Sequence, residues 1–279
     1  MFSINCKGRL LWLHEPLVMG IINITPDSFY KDSRHAVVDD VLFTAERMLQ
    51  DGAALLDIGG QSTRPGSHRV PMDEELSRVL PAVEALVKRF PEMILSIDTF
   101  YAKVAEYSVQ AGAAIINDVS AGSIDTELIP TVARLQVPYV LMHMKGDPQT
   151  MQQNPTYDNV VLEVFDFLSF KLKELEAAGI RDIIIDPGFG FGKTIQHNFQ
   201  LMAHLPFFQQ LKKPLLIGLS RKGTVYKTLN IKAEDSLNGT SVLNAISLLH
   251  GAHFLRVHDV KEAVQAVRLC AAFKKGKSN

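Results

Sequence analysis

Short apolar runs alternate with longer segments of helical period along the chain from residue 17 to its end. Strands are predicted at Leu17–Asn23, Ala54–Gly59, Ile94–Asp98, Ala114–Asp118, Tyr139–His143, Asp182–Asp186, Leu215–Leu219 and Phe254–Val257. Between the strands, apolar residues recur at helical spacing and share one face. Three such faces are Val41, Ala45, Met48 and Leu49, then Leu76, Val79, Leu80 and Val83, and later Val161, Val164, Phe165, Leu168 and Leu172.

The predicted strands are almost continuously apolar, which indicates burial on both faces and therefore a parallel sheet. Eight successive βα units favour a (β/α)8 TIM barrel, with Ser3–Leu13 forming a short hairpin at its N-terminal end. A doubly wound open sheet is the alternative fold. Because no Pro/Gly/Ser-rich linker or fixed-length repeat interrupts the pattern, residues 1–279 are interpreted as one domain.

Polar residues concentrate where the predicted strands end. They are Asn23, Asp57, Asp98, Asn117 and Asp118, His143, Asp186, Ser220 to Lys222, and Arg256 to Asp259. In a barrel all of these positions project onto the C-terminal rim, where active sites of this fold lie. A single polar residue at a strand end often caps a neighbouring helix, but the recurrence at every strand predicts one shared pocket.

Composition narrows the possible partners. The chain has 279 residues, 29 Lys+Arg, 30 Asp+Glu, a formal net charge of -1 and 47% hydrophobic residues, which excludes disorder. This balance provides no basic surface for nucleic acid or an anionic membrane. We expect the two cysteines, Cys6 and Cys270, to be free thiols, and no secretory leader or membrane-spanning run is visible. A cytoplasmic location is therefore expected.

Three connections after strands are long, namely 24–35, 61–71 and 145–157, and long loops of a compact domain are often functional. A glycine-rich segment, Asp186–Lys193, does not have the spacing of a phosphate-binding loop. We interpret it as a backbone platform beside a flat ligand.

Alternation along the last predicted strand directs Arg256 and His258 to the same side. Together with the residues after the seventh strand, they occupy the usual phosphate region of a barrel, so a phosphorylated substrate is predicted. A zinc hydrolase is a weaker alternative because no metal-binding histidine pair is present. Schiff-base chemistry at Lys222 is also weaker, because Asp98 and Asp186 are expected to keep its amine charged.

Seven motifs in this order resemble those of the dihydropteroate synthase family. They are MGIINITPDSF at 19–29, DIGGQSTRPG at 57–66, SIDT at 96–99, IINDV at 115–119, DPGFGFGKT at 186–194, GLSRK at 218–222 and RVHDV at 256–260. The resemblance covers nearly the whole chain. It implies a pterin-binding barrel that joins 7,8-dihydropterin-6-ylmethyl diphosphate to 4-aminobenzoate and releases diphosphate in folate biosynthesis. It also implies a homodimer.

Three features depart from the family pattern. Gln61 replaces a usual Glu, Gly223 replaces the usual Ser after Arg-Lys, and the loop after Phe29 is not Gly-rich. None of these changes removes a residue expected to contact the reacting atoms.

The resemblance implies roles for individual residues. Asp186 would accept paired N–H donors from the pterin, Asn117 and Asp98 would bind other ring atoms, and Lys222 would donate from the opposite side. The diphosphate would contact Arg256, His258 and Arg64, with Asn23 as a ligand of Mg²⁺. The residues implied to surround 4-aminobenzoate are Thr63, Pro65, Phe191 and Ser220.

The implied chemistry is a dissociative displacement in which Asp98, Lys222, Arg256 and His258 act on the reacting groups. Stabilisation of the departing diphosphate would be the main catalytic contribution. Two alternatives are a pterin-barrel methyltransferase and a pterin-binding module without turnover. The STRPG loop and the RVH strand favour a synthase over the methyltransferase. The presence of Asn23, Arg64, Arg256 and His258 argues against the binding module, because a protein that only binds pterin has no use for a diphosphate site.

Overall fold

A computed structural model describes residues 2–24, 34–61, 69–146, 151 and 155–276. Within these residues the strands are β1 Phe2–Cys6, β2 Arg9–Leu13, β3 Leu17–Asn23, β4 Leu55–Gly59, β5 Ile94–Asp98, β6 Ile115–Asp118, β7 Tyr139–Met142, β8 Ile183–Asp186, β9 Leu216–Ile217 and β10 Phe254–Val257. All eight strands predicted from residue 17 onward are present. Their observed ends differ from the predicted ends by one or two residues at five of them.

The helices follow the strands on the outside of the sheet. They are α1 Arg34–Gln50, α2 Met72–Arg89, α3 Ala102–Gln110, α4 Leu128–Leu135, α5 Val160–Ala177, α6 Ile195–Ala203, α7 Gly223–Leu229, α8 Leu237–Leu249 and α9 Val260–Gly276. Two short 3₁₀ helices, Leu205–Leu211 and Ala233–Asp235, lie in the connections. No helix in the described part of the chain is long and apolar enough to cross a membrane.

Eight parallel strands pair in chain order, and β10 pairs with β3. A parallel bridge between Ile185 of β8 and Leu215, next to β9, connects the two remaining ends of the sheet. This arrangement confirms the (β/α)8 barrel, and the doubly wound alternative is wrong.

Alternation along the strands separates an inner core from an outer core. Inside the barrel lie Met19, Leu55, Ile115, Val140, Ile184, Leu216 and Phe254. Their neighbours in sequence, such as Val18 and Leu56, face the helices instead. The antiparallel hairpin β1–β2 adds Ile4, Cys6 and Leu13 to the inner core, which confirms the predicted hairpin.

Period-two alternation also decides which polar side chains reach the barrel mouth. Asp57, Asn117, Asp186 and Arg256 each stand two residues after an inward apolar residue of the same strand, and so they share its direction. Asp118 is offset by one residue, and it accepts hydrogen bonds from the Tyr139 hydroxyl at 2.6 Å and from backbone N–H groups. Of the Asn117–Asp118 pair, only the first therefore contributes to the pocket.

Candidate active site

The centre of the barrel mouth is an ion-paired cluster built from four strands. The guanidinium of Arg256, on β10, donates from Nε to Asp57 Oδ2 and from Nη2 to Asp98 Oδ2, both at 2.6 Å. Asn117 Nδ2 donates to the same Asp57 oxygen at 2.9 Å. The cluster thus joins β4, β5, β6 and β10 through side chains.

The charges of this cluster depend strongly on one another. Burial raises the pKa of Asp98 to about 7, Arg256 acts in the opposite direction, and the neighbouring carboxylates raise it further. The carboxylates raise the pKa of Arg256 above its ordinary value despite burial, so this side chain remains a cation. Because two carboxylates share the charge of Arg256, its net attraction for a bound anion is reduced.

Lys222 and Asp186 form the opposite wall of the mouth. Lys222 Nζ donates to the carbonyl of Phe189 at 2.7 Å and lies 4.5 Å from the centre of the Phe191 ring, a cation–π contact. Burial lowers the pKa of Lys222 to about 8, although Asp186 acts in the opposite direction. The amine is therefore mostly protonated at neutral pH, in agreement with the expected effect of nearby carboxylates.

Asp186 has a structural contact as well as a place in the pocket. Its Oδ1 accepts the backbone N–H of Gly188 at 2.7 Å, which holds the turn after β8. Burial raises the pKa of Asp186, and Lys222 is the largest influence in the opposite direction. If Asp186 binds a ligand, it therefore does so while Oδ1 keeps its hydrogen bond to the Gly188 N–H.

The glycine-rich segment after β8 is held from below by Lys193. Its buried Nζ donates to the carbonyls of Gly188 at 2.8 Å, Phe191 at 3.0 Å and His143 at 3.2 Å. It also lies 2.9 Å from Nδ1 of His143, whose pKa burial lowers to about 2, so the imidazole beside it is neutral. A Cβ at Gly188 would overlap the His143 carbonyl, which explains the glycine there. His143 consequently braces the segment and lies behind the pocket.

Ser220 and His258 lie together at the rim. The Ser220 hydroxyl accepts the backbone N–H of His258 at 3.1 Å and is 3.1 Å from the His258 ring nitrogen Nδ1. The adjacent Arg221 points away and forms a bidentate ion pair with Asp259, at 2.9 and 2.7 Å. The positive charge of Arg221 is therefore directed away from the pocket.

Asn23 is placed where an oxygen ligand could serve a cation. A Cβ built at Gly59 would lie 3.5 Å from Asn23 Oδ1 and 3.7 Å from Asp98 Oδ2, so both oxygens lie beside Gly59 at the end of β4. No group of three or more His, Cys, Asp or Glu side chains suited to a metal is present among the described residues. An amide oxygen with substrate oxygens and waters fits Mg²⁺, which rarely uses an all-protein cage.

Phe191 packs with Phe100, Val119, Met142 and Met151 beneath Lys222. Three residues that the sequence assigns to the site, Thr63, Arg64 and Pro65, lie outside the described residues. The roles of Asp57 and Lys193 were missed by sequence reasoning. The inward position of Asp57 was a usable signal. Lys193 was present in the motif at 186–194, but that motif did not show that its amine is buried.

Comparison with known proteins identifies the family. The model of the pterin binding enzyme family matches residues 19–258. Dihydropteroate synthase of Escherichia coli K12 is 42% identical over 275 residues, which cover 98% of this chain and 97% of that protein. The chain belongs to the dihydropteroate synthase family. It is accordingly a transferase of folate biosynthesis.

Other members agree with this assignment. Dihydropteroate synthase of Haemophilus influenzae is 42% identical over 92% of this chain and 94% of its own length. The Yersinia pestis enzyme in complex with a sulfonamide drug superposes with a TM-score of 0.93 at 42% identity, covering 98% and 100% of the two chains. The Xanthomonas albilineans enzyme with 7,8-dihydropteroate has a TM-score of 0.88 at 41% identity, covering 98% of this chain and 99% of that chain. The family membership inferred from the motifs is confirmed.

Proposed function

We propose that this chain condenses 7,8-dihydropterin-6-ylmethyl diphosphate with 4-aminobenzoate and releases diphosphate. The observation that carries the proposal is the convergence of Asp98, Asn117, Asp186 and Lys222 on one buried mouth. A pterin ring has donors on one edge and acceptors on the other, and this wall supplies both kinds of partner. The Xanthomonas albilineans enzyme is known with 4-aminobenzoic acid, which supports the second substrate.

The pterin is assigned to the deep part of the mouth. Asp186 accepts from its paired N–H groups with the oxygen not used by Gly188, and Lys222 donates to acceptors on the other edge. Asn117 is held by its bond to Asp57, so its amide is oriented before the ligand arrives. Asp98 lies beside the reacting methylene group.

The diphosphate is assigned to Arg256 and His258, with Arg64 as a further cation. The ion pairs with Asp57 and Asp98 engage two of the five N–H donors of the Arg256 guanidinium. Because Asp57 and Asp98 already share its charge, Arg256 alone is a weak partner for a departing diphosphate. This shortage of positive charge supports a requirement for Mg²⁺, with Asn23 as its protein ligand.

Bound Mg²⁺ would supply charge neutralisation for the leaving diphosphate. The protein residues orient the reactants, and Arg256 and His258 donate hydrogen bonds to the leaving group as the C–O bond breaks. The arylamine is neutral at pH 7 and attacks the methylene carbon through its lone pair, so no strong base is needed. Asp98 stabilises the positive charge that develops on the dihydropterin.

4-Aminobenzoate is assigned to Thr63, Pro65, Phe191 and Ser220. The buried Ser220 hydroxyl lies close to the start of α7, where backbone N–H groups favour a carboxylate. The proximity of Ser220 to His258 brings this substrate next to the diphosphate region.

A homodimer and a cytoplasmic location complete the proposal. The neighbouring helices α8 and α9 expose apolar side chains, with Val242 51% and Leu269 72% accessible, which is suitable for a contact between subunits. Cys6 and Cys270 are free and buried, as is usual in a reducing compartment.

The experiment that tests the proposal is diphosphate release from dihydropterin diphosphate, with and without 4-aminobenzoate. We expect release to depend on 4-aminobenzoate and to yield dihydropteroate in equal amount. Pterin binding without release would instead identify a binding module. Methyl transfer from a methylated folate to a corrinoid protein would support the methyltransferase alternative.

A further inference from the structure

Residues 188–191 form a tight turn after β8, and one buried side chain holds both of its ends. The backbone N–H of Phe191 donates to the carbonyl of Gly188 at 3.1 Å, which closes the turn. Lys193 Nζ donates to the carbonyls of these same two residues, at 2.8 Å to Gly188 and 3.0 Å to Phe191. It also donates to the carbonyl of His143 at 3.2 Å. Lys193 therefore ties both ends of the turn to the residue that follows β7.

The other side of this turn contacts Lys222. The carbonyl of Phe189, in the middle of the turn, accepts a hydrogen bond from Lys222 Nζ at 2.7 Å. The ring of Phe191 lies 4.5 Å from the same amine. A Cβ built at Gly190 would lie 3.4 Å from Lys222 Cδ, so the aliphatic stem of this lysine also runs beside the turn. The position of the Lys222 amine thus depends on the position of the turn.

We propose that Lys193 is a positioning residue for pterin binding and that it acts through Lys222. The inference rests on the proposed function, which assigns Lys222 to the acceptor edge of the pterin. Without the Lys193 amine, the carbonyls of Gly188 and Phe191 would lose a buried donor, and the turn would shift to find other partners. The Phe189 carbonyl would move with the turn. Lys222 would then lose the fixed position from which it donates to the pterin.

A competing route from Lys193 to the ligand runs through Asp186. Burial lowers the pKa of Lys193 well below its ordinary value, and the nearby carboxylate of Asp186 acts in the opposite direction. Asp186 also accepts the backbone N–H of Gly188, at the start of the turn. The two routes differ in their coupling to Lys222. An effect transmitted through Lys222 disappears once Lys222 is replaced, whereas an effect transmitted through Asp186, or through lower overall stability, persists.

The test is a double-variant cycle on the affinity for 6-hydroxymethylpterin, measured by calorimetry without 4-aminobenzoate or diphosphate. A pH of 6.5 keeps Lys222, whose pKa is about 8, mostly protonated. Lys193→Met keeps the length of the side chain and removes its N–H donors, and we expect it to raise the dissociation constant by about tenfold or more. In the Lys222→Met background the same substitution should raise it by less than about threefold. An equal factor in both backgrounds, or no loss in the native background, would overturn the proposal.

Tyr139→Phe is the control for stability, because it removes a buried hydroxyl that donates to Asp118 at 2.6 Å, away from the turn. It should lower the melting temperature and leave the dissociation constant of the pterin within about twofold of the native value. A loss of affinity as large as that of Lys193→Met would overturn the proposal, since lower stability alone would then explain both variants.

Lys193→Gln replaces Lys193→Met in the cycle if the latter does not fold. Its side chain is shorter and still carries N–H donors, so we expect a smaller loss of pterin affinity that again depends on Lys222. A loss that is equal with and without Lys222, or no loss, would overturn the proposal. Because the cycle measures pterin affinity alone, a native protein that binds the pterin but releases no diphosphate would refute the proposed function separately.

Discussion

The substitution Asp186→Asn distinguishes ligand binding from turn capping at one residue. In the native protein the carboxylate has two acceptor oxygens, and Oδ1 already accepts the N–H of Gly188 at 2.7 Å. Asparagine has one acceptor oxygen and one amino group of nearly the same shape. If that oxygen retains the bond to Gly188, the amino group faces the paired N–H donors of the pterin.

The magnitude follows from the number of acceptors. The oxygen that accepts the paired pterin N–H groups is replaced by an amino group that opposes them in a buried site, which costs about 1–3 kcal/mol. This corresponds to a roughly five- to 150-fold weaker affinity for the pterin, and loss of the charge places the result toward the upper end. The melting temperature should change little, because the cap of the turn is kept.

The assay is calorimetric titration with a pterin, combined with thermal unfolding, at pH 6.5. This pH matters because Asp186 helps to keep Lys222 protonated, and at pH 6.5 the pKa of about 8 leaves a margin for that loss. Asp259→Asn is the matched control, since it breaks the ion pair with Arg221 outside the pocket. The control should lower the melting temperature slightly and leave pterin affinity unchanged. An unchanged affinity together with a lower melting temperature for Asp186→Asn would refute the ligand assignment and support the cap alone.

Three further predictions concern charge. Lys222 has a lowered pKa of about 8, so its ammonium is lost as the pH rises through that value. Pterin affinity should therefore fall between pH 7 and 9.5 in the native protein but not in Lys222→Arg. Identical pH dependences in titrations of both proteins would contradict this role. Arg256→Ala should reduce diphosphate release by about a hundredfold or more with a smaller loss of pterin affinity. Because Arg256 lowers the pKa of Asp98, its removal raises that pKa further above the unfolded value, so melting curves should show the variant losing stability, relative to the native protein, as the pH rises above about 7, where Asp98 ionises in the folded native protein but stays protonated in the folded variant. Turnover should stop in excess chelator and return with Mg²⁺. The variant Asn23→Ala should need a higher Mg²⁺ concentration than the native protein for half-maximal turnover. Full turnover by metal-free protein would disprove the assignment of Asn23 as a Mg²⁺ ligand.

The sequence by itself determined the barrel and the inward direction of its polar strand ends. Both depend on local periodicity, because a parallel strand buried on both faces is apolar throughout and alternate residues face the same side. Asn117 and Asp186 were located in this way. The other proposed site residues were also available from sequence, because they lie in family motifs that follow one another along nearly the whole chain.

Only the tertiary structure decided how the charges are paired. Arg256 and Asp57 are 199 residues apart in sequence, and their ion pair exists because β10 and β4 converge at one end of the closed barrel. No local pattern shows that Arg256 is shared by two carboxylates. The burial of Lys193 was hidden for a related reason, since its own segment folds back over it and His143, 50 residues away in sequence, completes its surroundings. Pairing and burial of charges are properties of the packed chain, and they set the pKa values on which the proposed chemistry depends.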